Sequence, residues 1–421
     1  MASSSWHRIL YPGLLLFGLS LSLSKSASNI LLGGLYLSAI AGALYSKEFR
    51  NDVIRNCRQP LTAAFALFCF VAYAGIIHTE KYADGFAVAN KFVSLPIIYF
   101  FVAVFLQSDQ SEDARTRKAE SLLFSFLAGL TALNLFGVIT FLGAVGEAKY
   151  VLPLSPLGLH HIWYSNINAL GLYTAVSFLL FSRHGASVRG RAYLGCFLLL
   201  TGLCILLSTS RTAWFGVAST AAIMAAVLIK SKKRVFFVFL LSILTLAMVY
   251  QFVPLVHDRI NLIAEDLALF SYGNNAGSSI GARIFMWRTA LLMFEYGPFI
   301  GIGTGDYYPA IVAWHAGGLL PDSLLEYNQP HNMYLFAMAT NGLVGLTALL
   351  YIFYRCLRLA APPLRSDGSG KFFAFLAMAT AVHFMIAGFM DSFFHIQILR
   401  YSFAFIMGVC IRSSVSCIRR P

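Results

Sequence analysis

Long apolar runs recur along the whole chain and are separated by short polar or basic segments. A helix needs about 20 apolar residues to cross the roughly 30 Å hydrocarbon core of a bilayer. Runs of this kind are centred near residues 16, 37, 68, 100, 133, 172, 199, 221, 241, 346, 380 and 405. The pattern predicts an all-α, polytopic integral membrane protein with about 12 transmembrane helices.

The composition agrees with this class and excludes several others. Of the 421 residues, 58% are hydrophobic and only 12% are charged, whereas a soluble protein carries about 25% charged residues. A soluble enzyme, a disordered chain and a disulfide scaffold are therefore excluded. The net charge of +13 comes with no basic tail or nucleic-acid-reading motif, so no nucleic-acid partner is expected. The first 25 residues could imitate a signal peptide, but we interpret them as the first transmembrane helix.

The distribution of basic residues predicts the orientation of the chain. Most of the 31 Lys and Arg residues fall in one set of loops, near residues 8, 47–58, 115–118, 183–191, 230–234, 355–371 and 412–420. By the positive-inside rule these loops and both termini are cytoplasmic. The remaining loops then face outward.

The outward-facing segments are unequal in length. Residues 1–253 are predicted to hold transmembrane helices 1–9, residues 254–330 a long outward-facing loop, and residues 331–421 helices 10–12. Within the loop, residues 258–270 have the pattern of an interfacial amphipathic helix. A second helix is expected to start near Ser279 and to stop at Gly297. Residues 301–308, with the sequence GIGTGDYY, read as a tight backbone turn.

Arg211 is the most informative charge on the outer side. It lies in LLSTSRTAWFG, between two apolar runs with almost no loop. A lone outer arginine opposes the positive-inside bias, so a role as a topology marker is a poor explanation. Its planar guanidinium is suited to phosphate, which predicts an anion-binding role.

Two further arginines lie on the helix predicted in the long loop. Arg283 and Trp287 are four residues apart and share a face, whereas Arg288 points well away from Arg283. One arginine can face a site while the other faces solvent or lipid headgroups. The helix pattern alone does not choose between them.

Histidines provide the candidate proton acceptors. His331 follows Pro330, which is predicted to set the first turn of the next helix. A positively polarised helix start disfavours imidazolium and favours a neutral ring that accepts a proton. His160 and His161, in another outer loop, are weaker candidates and are more simply explained as interfacial residues.

A metal site is not predicted. The sequence has no DxD, HExxH or paired-carboxylate pattern, and its 7 cysteines form no CxxC pair. The Gly-rich turn lacks the GK[ST] ending of a nucleotide-binding loop. Arginine and histidine without acidic clusters favour an anionic phosphate substrate over a divalent cation, and no cofactor is expected.

The ordered segments SRTAWFG, GAR-x3-W, GPFIGIGTGDY and PHNMYLFAMATNGLVG, from residue 208 to 345, resemble the bacterial O-antigen ligase and polymerase superfamily. The resemblance implies a metal-independent, membrane-embedded glycosyltransferase of the C-type class that uses a polyprenyl diphosphate-linked donor. It also implies donor contacts for Arg211 and Arg283, with Arg283 ranked above Arg288, and a catalytic role for His331.

Within this superfamily, the resemblance favours an O-antigen ligase. Such an enzyme transfers O-antigen from undecaprenyl diphosphate to lipid A–core oligosaccharide, so its partners are these two lipids within the membrane. The alternatives are an O-antigen polymerase and a protein O-oligosaccharyltransferase, although the latter usually carries a further C-terminal domain. A transporter or flippase for anions or lipid-linked sugars is the rival from another class, and it predicts charges or discontinuous helices near the bilayer midplane.

Overall fold

Helices account for almost all of the described chain. The computed structural model describes residues 5–57, 60–107, 111–146, 153–271, 279–365 and 370–415, and no strand occurs in these ranges. The α-helices are α1 (Ser5–Leu23), α2 (Lys25–Tyr45), α3 (Lys47–Cys57), α4 (Pro60–Ala74), α5 (Tyr82–Gln107), α6 (Glu112–Gly146), α7 (His161–Phe181), α8 (Arg183–Ala186), α9 (Val188–Leu207), α10 (Arg211–Leu228), α11 (Lys232–Phe252), α12 (Pro254–Ser271), α13 (Ser279–Tyr296), α14 (Tyr307–Ala316), α15 (Met333–Arg365), α16 (Gly370–Ala387) and α17 (Gln397–Val415).

The all-α, multi-pass membrane class is confirmed. Each of the predicted apolar centres lies inside one of these helices. Among the described residues, 8 helices are long and apolar enough to cross a membrane, namely α2, α4, α5, α6, α9, α10, α15 and α16. The total of about 12 spans and the divisions at residues 253 and 330 stay predictions. Residues 254–330 are largely helical, since α12, α13 and α14 lie there.

The helices that carry the site share one polarity. α7, α10 and α15 end beside the basic segments at residues 183–191, 230–234 and 355–371. Their N-terminal ends therefore lie at the opposite side of the bundle. By the positive-inside rule that side is predicted to face outward.

Helix α16 is the centre of the bundle and is mostly buried. It packs against α7, α10, α15 and α17. Its one ionisable residue within the apolar run, His383, is fully buried. The His383 ring lies 2.9 Å from the hydroxyl of Tyr173 through Nδ1 and 3.0 Å from Oδ1 of Asn166 through Nε2. Both partners lie on α7, so this intramembrane histidine holds two helices together, as interhelical polar contacts do in membranes.

The Gly-rich segment forms backbone hydrogen bonds with α15 at a break in that helix. Gly342 has φ 61° and ψ −154° inside the helix, a backbone conformation that is essentially restricted to glycine. The segment at residues 298–303 lies against this break: Ile302 N donates to Ala339 O at 3.0 Å and Leu343 N to Pro298 O at 2.8 Å. The Gly-rich segment, predicted to be a tight turn, therefore acts as a backbone clamp on α15. Protein atoms fill the break in this helix, so the break does not form a path for ions.

We predict that Gly342→Ala destabilises the protein strongly. A Cβ at residue 342 would lie 2.3–2.5 Å from backbone atoms of Phe299 and Ile300. Strain and overpacking together should lower the free energy of unfolding by at least about 2 kcal/mol. Thermal unfolding of the detergent-solubilised protein measures the effect.

The matched control is Gly202→Ala in α9, where an added Cβ meets no atom within 4 Å. This change should leave the melting temperature unchanged or raise it slightly, because alanine is the better helix former. Equal melting temperatures for the two variants would contradict the role of the clamp.

Candidate active site

Three helix N-termini surround one cavity of about 570 Å³. α7 begins at His161 after its N-cap His160, and α10 begins at Arg211 after its N-cap Ser210. α15 begins at Met333. Each helix start carries a partial positive charge from its aligned backbone dipoles, although several of its first N–H groups already have hydrogen-bond partners. The cavity therefore has a positive potential before any side chain is considered.

The side chains that line the cavity add to this charge. Five of the predicted site residues lie in its wall: Arg211, Arg283, His331, His160 and His161. Arg288 does not line it and is exposed. Arg283 and Trp287 both line it, as their spacing on one helix face predicted. Among the two arginines of α13, only Arg283 is thus placed to contact a ligand in this cavity.

Arg211 is presented by a compact turn between α9 and α10. Thr209 has a left-handed backbone with φ 52°, and Trp214 Nε1 donates to Ile205 O at 3.0 Å across the turn. Arg211 Nη2 lies 3.7 Å from Asp266 Oδ2. Its Nη1 is buried and has no hydrogen-bond partner among the described residues. A buried donor of this kind is costly unless a ligand accepts from it.

Arg259 is a third arginine in the cavity wall and was missed by the sequence interpretation. It lies on α12, the predicted amphipathic helix, and its Nη2 donates to Thr209 Oγ1 at 2.9 Å. Burial and then the charge of Arg211 lower the pKa of Arg259. The available signal was its position as an outer cation, which opposes the positive-inside bias as Arg211 does.

Arg283 lies deep in the same positive region. Burial is the main cause that lowers the pKa of this guanidinium, and the charge of Arg211 adds to it, while Asp391 opposes the shift. Arginine nevertheless stays protonated in proteins. The arrangement holds three permanent cations close together, with Asp266 and Asp391 as the nearby acids.

The predicted start of α15 at Pro330 is wrong. The helix begins at Met333, because the Asn332 side chain accepts hydrogen bonds from the N–H groups of Tyr334 and Leu335, both at 3.0 Å. An asparagine in this position is a strong N-cap. His331 precedes the cap and has a left-handed backbone with φ 46°. His331 therefore lies outside the helix, immediately before its N-cap.

His331 is oriented by a buried carboxylate that sequence reasoning did not pair with it. Nδ1 of His331 lies 3.0 Å from Oδ1 of Asp391, and Asp391 is fully buried. The same oxygen accepts from Ser392 N at 2.8 Å. A carboxylate at Nδ1 keeps the proton on that nitrogen and leaves Nε2 able to accept another, which is the arrangement of a general base with its orienting acid.

His160 and His161 lie on the other side of the cavity. Their rings stack with centroids 4.6 Å apart. Burial lowers the pKa of His160, Asp391 opposes this effect, and His331 and Arg283 reinforce it, so the neutral form is favoured beside the cations. Among the described residues no group of three His, Cys, Asp or Glu side chains is arranged to hold a metal ion. Metal independence stays a prediction.

Comparison with known proteins finds similarity over part of the chain. Residues 196–350 match the family model described as O-antigen ligase, a range that contains Arg211, Arg259, Arg283 and His331. An uncharacterized protein of Haemophilus influenzae is 26% identical over 149 residues. The match covers 35% of this chain and 37% of that protein. Over residues 196–350 this chain is therefore similar to the O-antigen ligase family.

Proposed function

We propose that this protein is an O-antigen ligase of the bacterial inner membrane, with both termini cytoplasmic and its site facing the periplasm. It transfers O-antigen from undecaprenyl diphosphate to lipid A–core oligosaccharide, with inversion and without a metal. The observation that carries the proposal is one cavity that unites three arginines with a carboxylate-oriented histidine. The polarity of α7, α10 and α15, whose other ends lie at basic segments, supports the periplasmic side.

The arginines bind the donor diphosphate in this proposal. Arg211 and Arg283 offer planar forks of N–H donors to its oxygens, and Arg259 adds a third charge. As the bond between C1 of the sugar and the phosphate oxygen breaks, its electron pair moves to undecaprenyl diphosphate. Fixed cations in a half-buried cavity stabilise this growing charge without reorganising.

His331 activates the acceptor. Its Nε2 takes the proton from a hydroxyl of the core oligosaccharide while that oxygen forms the new bond to C1. Asp391 does not touch the substrate; it positions the ring and stabilises the imidazolium that forms. Attack opposite the leaving diphosphate in a single step inverts the anomeric centre.

The same machinery serves an O-antigen polymerase, which uses a second lipid-linked glycan as acceptor. Deletion of the gene in its own bacterium separates the two functions. A ligase mutant should lose the whole O-antigen ladder on lipopolysaccharide gels and accumulate long polyprenyl-linked polymer. A single-repeat band would instead identify a polymerase, and an unchanged ladder would exclude both.

We predict that Arg211→Ala and Arg283→Ala, introduced into the deletion strain, abolish ligation. Each should lower the rate by at least about 10²-fold, as the loss of one transition-state donor does. Lysine at either position should restore little ligation activity, because a single ammonium charge cannot make the bidentate hydrogen bonds of a guanidinium group. Gel analysis of the lipopolysaccharide, normalised to protein in the membrane, measures the effect.

The matched control is Arg288→Ala, since Arg288 lies on the same helix as Arg283 but is exposed. It should ligate nearly as wild type does. A defect stronger than that of Arg283→Ala would contradict the assignment of Arg283 to the donor.

We predict that His331→Ala lowers the single-turnover rate with purified lipid-linked donor by about 10²–10⁴-fold, the range for loss of a general base. Donor binding should change little, because the base acts on the acceptor. Asp391→Asn should also slow transfer with little effect on donor binding, because it removes the charge that fixes the ring.

The reactions are run in excess EDTA, in which the wild-type rate should be unchanged. Transfer by His331→Ala within a few-fold of wild type would show that the base lies elsewhere, first at His160 or His161. Loss of wild-type activity in EDTA that Mg²⁺ or Mn²⁺ restores would contradict metal independence.

A further inference from the structure

A second cavity, of about 490 Å³, lies between α2, α4, α5 and α17 and shares no lining residue with the candidate active site. Polar side chains from all four helices face it. They include Asn29, Tyr73, Asn90, Lys91, Ser94 and Arg400. Ser94 and Arg400 are buried and Lys91 is partly buried, whereas Asn29 and Asn90 are exposed. Polar residues at membrane depth are costly and mark functional sites by default.

Two of these residues are cations without a carboxylate partner. Arg400 is only 4% exposed, and its guanidinium donates to Ser94 Oγ at 2.8 Å through Nε and to Phe394 O at 2.7 Å through Nη1. The Lys91 ammonium lies 2.7 Å from Nε2 of His395, a neutral acceptor for its proton. Among the described residues, no carboxylate lies within 4 Å of either cation.

This charge arrangement calls for an anion. Hydrogen bonds to neutral groups satisfy N–H donors of these cations but do not neutralise their charge, and a buried charge without a counter-charge is costly. Arg400 cannot neutralise itself by losing a proton, and the charge of Lys91 is added to the same cavity. The side chains of Asn29 and Asn90 add amide donors. A phosphate group has enough acceptor oxygens for this set.

The place of the cavity in the bundle indicates where the anion comes from. Its polar residues Asn29, Lys91 and Arg400 lie in the N-terminal halves of α2, α5 and α17, and Tyr73 lies near the end of α4, toward the same side as the candidate active site. The outer surface of α2 is apolar and exposed, with Ile30 75% and Leu37 71% accessible. An apolar face beside a cationic cavity is suited to an acyl chain and a headgroup together.

We propose that this cavity binds the phosphate headgroup of a membrane lipid from the leaflet on the site side. The proposal does not depend on the glycosyltransferase assignment, because it concerns different residues and a binding step alone. The cavity is connected to the active site through one short segment: Asp391 contacts His331, and four residues later His395 contacts Lys91.

The test measures lipid binding by the full-length protein in detergent. Phosphatidylglycerol should raise the melting temperature, whereas diacylglycerol with the same acyl chains should not. Lys91→Met keeps the aliphatic stem and removes the charge, and it should weaken the apparent affinity for phosphatidylglycerol by about tenfold. Arg400→Gln should act in the same direction if it folds.

Two controls define the site. Lys81→Met removes an exposed lysine at the start of the same region and should bind as wild type does. Arg211→Ala should also retain the lipid effect, because Arg211 lines the other cavity. Equal stabilisation by diacylglycerol, or equal lipid affinity of Lys91→Met and wild type, would overturn the proposal. Full stabilisation by inorganic phosphate, with nothing added by the lipid, would overturn its lipid part.

Discussion

Like charges held in one half-buried cavity are the constraint around which this site is organised. Arg211, Arg259 and Arg283 share the cavity with three helix starts, and each contributes positive potential. Asp266 Oδ2 lies 3.7 Å from Arg211 Nη2, and the carboxylate of Asp391 is hydrogen-bonded to His331. In the proposed function, the donor diphosphate relieves the repulsion between these cations because it supplies negative charge at two adjacent centres.

The rest of the bundle holds these charges in place. The break of α15 at Gly342 would leave backbone groups unsatisfied in the membrane, but the segment at residues 298–303 donates to and accepts from it. This clamp ties the end of α13, which carries Arg283, to α15, which follows His331. On the other side of the bundle, His383 joins α16 to α7, the helix that begins at His161. The glycines and the buried histidine therefore position the site without touching its ligand.

Sequence patterns predicted the helices well because hydrophobic length is a local property. The spacing of Arg283 and Trp287 also predicted their common face, since helix geometry alone decides it.

Asp391 could not be paired with His331 by the same means: 60 residues separate them, and only the packing of α15 against α16 brings the ends of these helices together. Arg259 was hidden in an amphipathic pattern, where a cation is ordinary. The start of α15 was misplaced because Pro330 and Asn332 both signal a helix start, and the side-chain hydrogen bonds of asparagine decide between them.

The central claim is that Arg211 and Arg283 hold a diphosphate in the cavity that His331 borders. Determination of the structure of the protein with undecaprenyl diphosphate bound tests it most directly. The account predicts phosphate density between the two guanidinium groups, within hydrogen-bonding distance of both, at the starts of α10 and α15. Diphosphate density elsewhere, for example beside Lys91 and Arg400, with the arginine cavity empty, would contradict it.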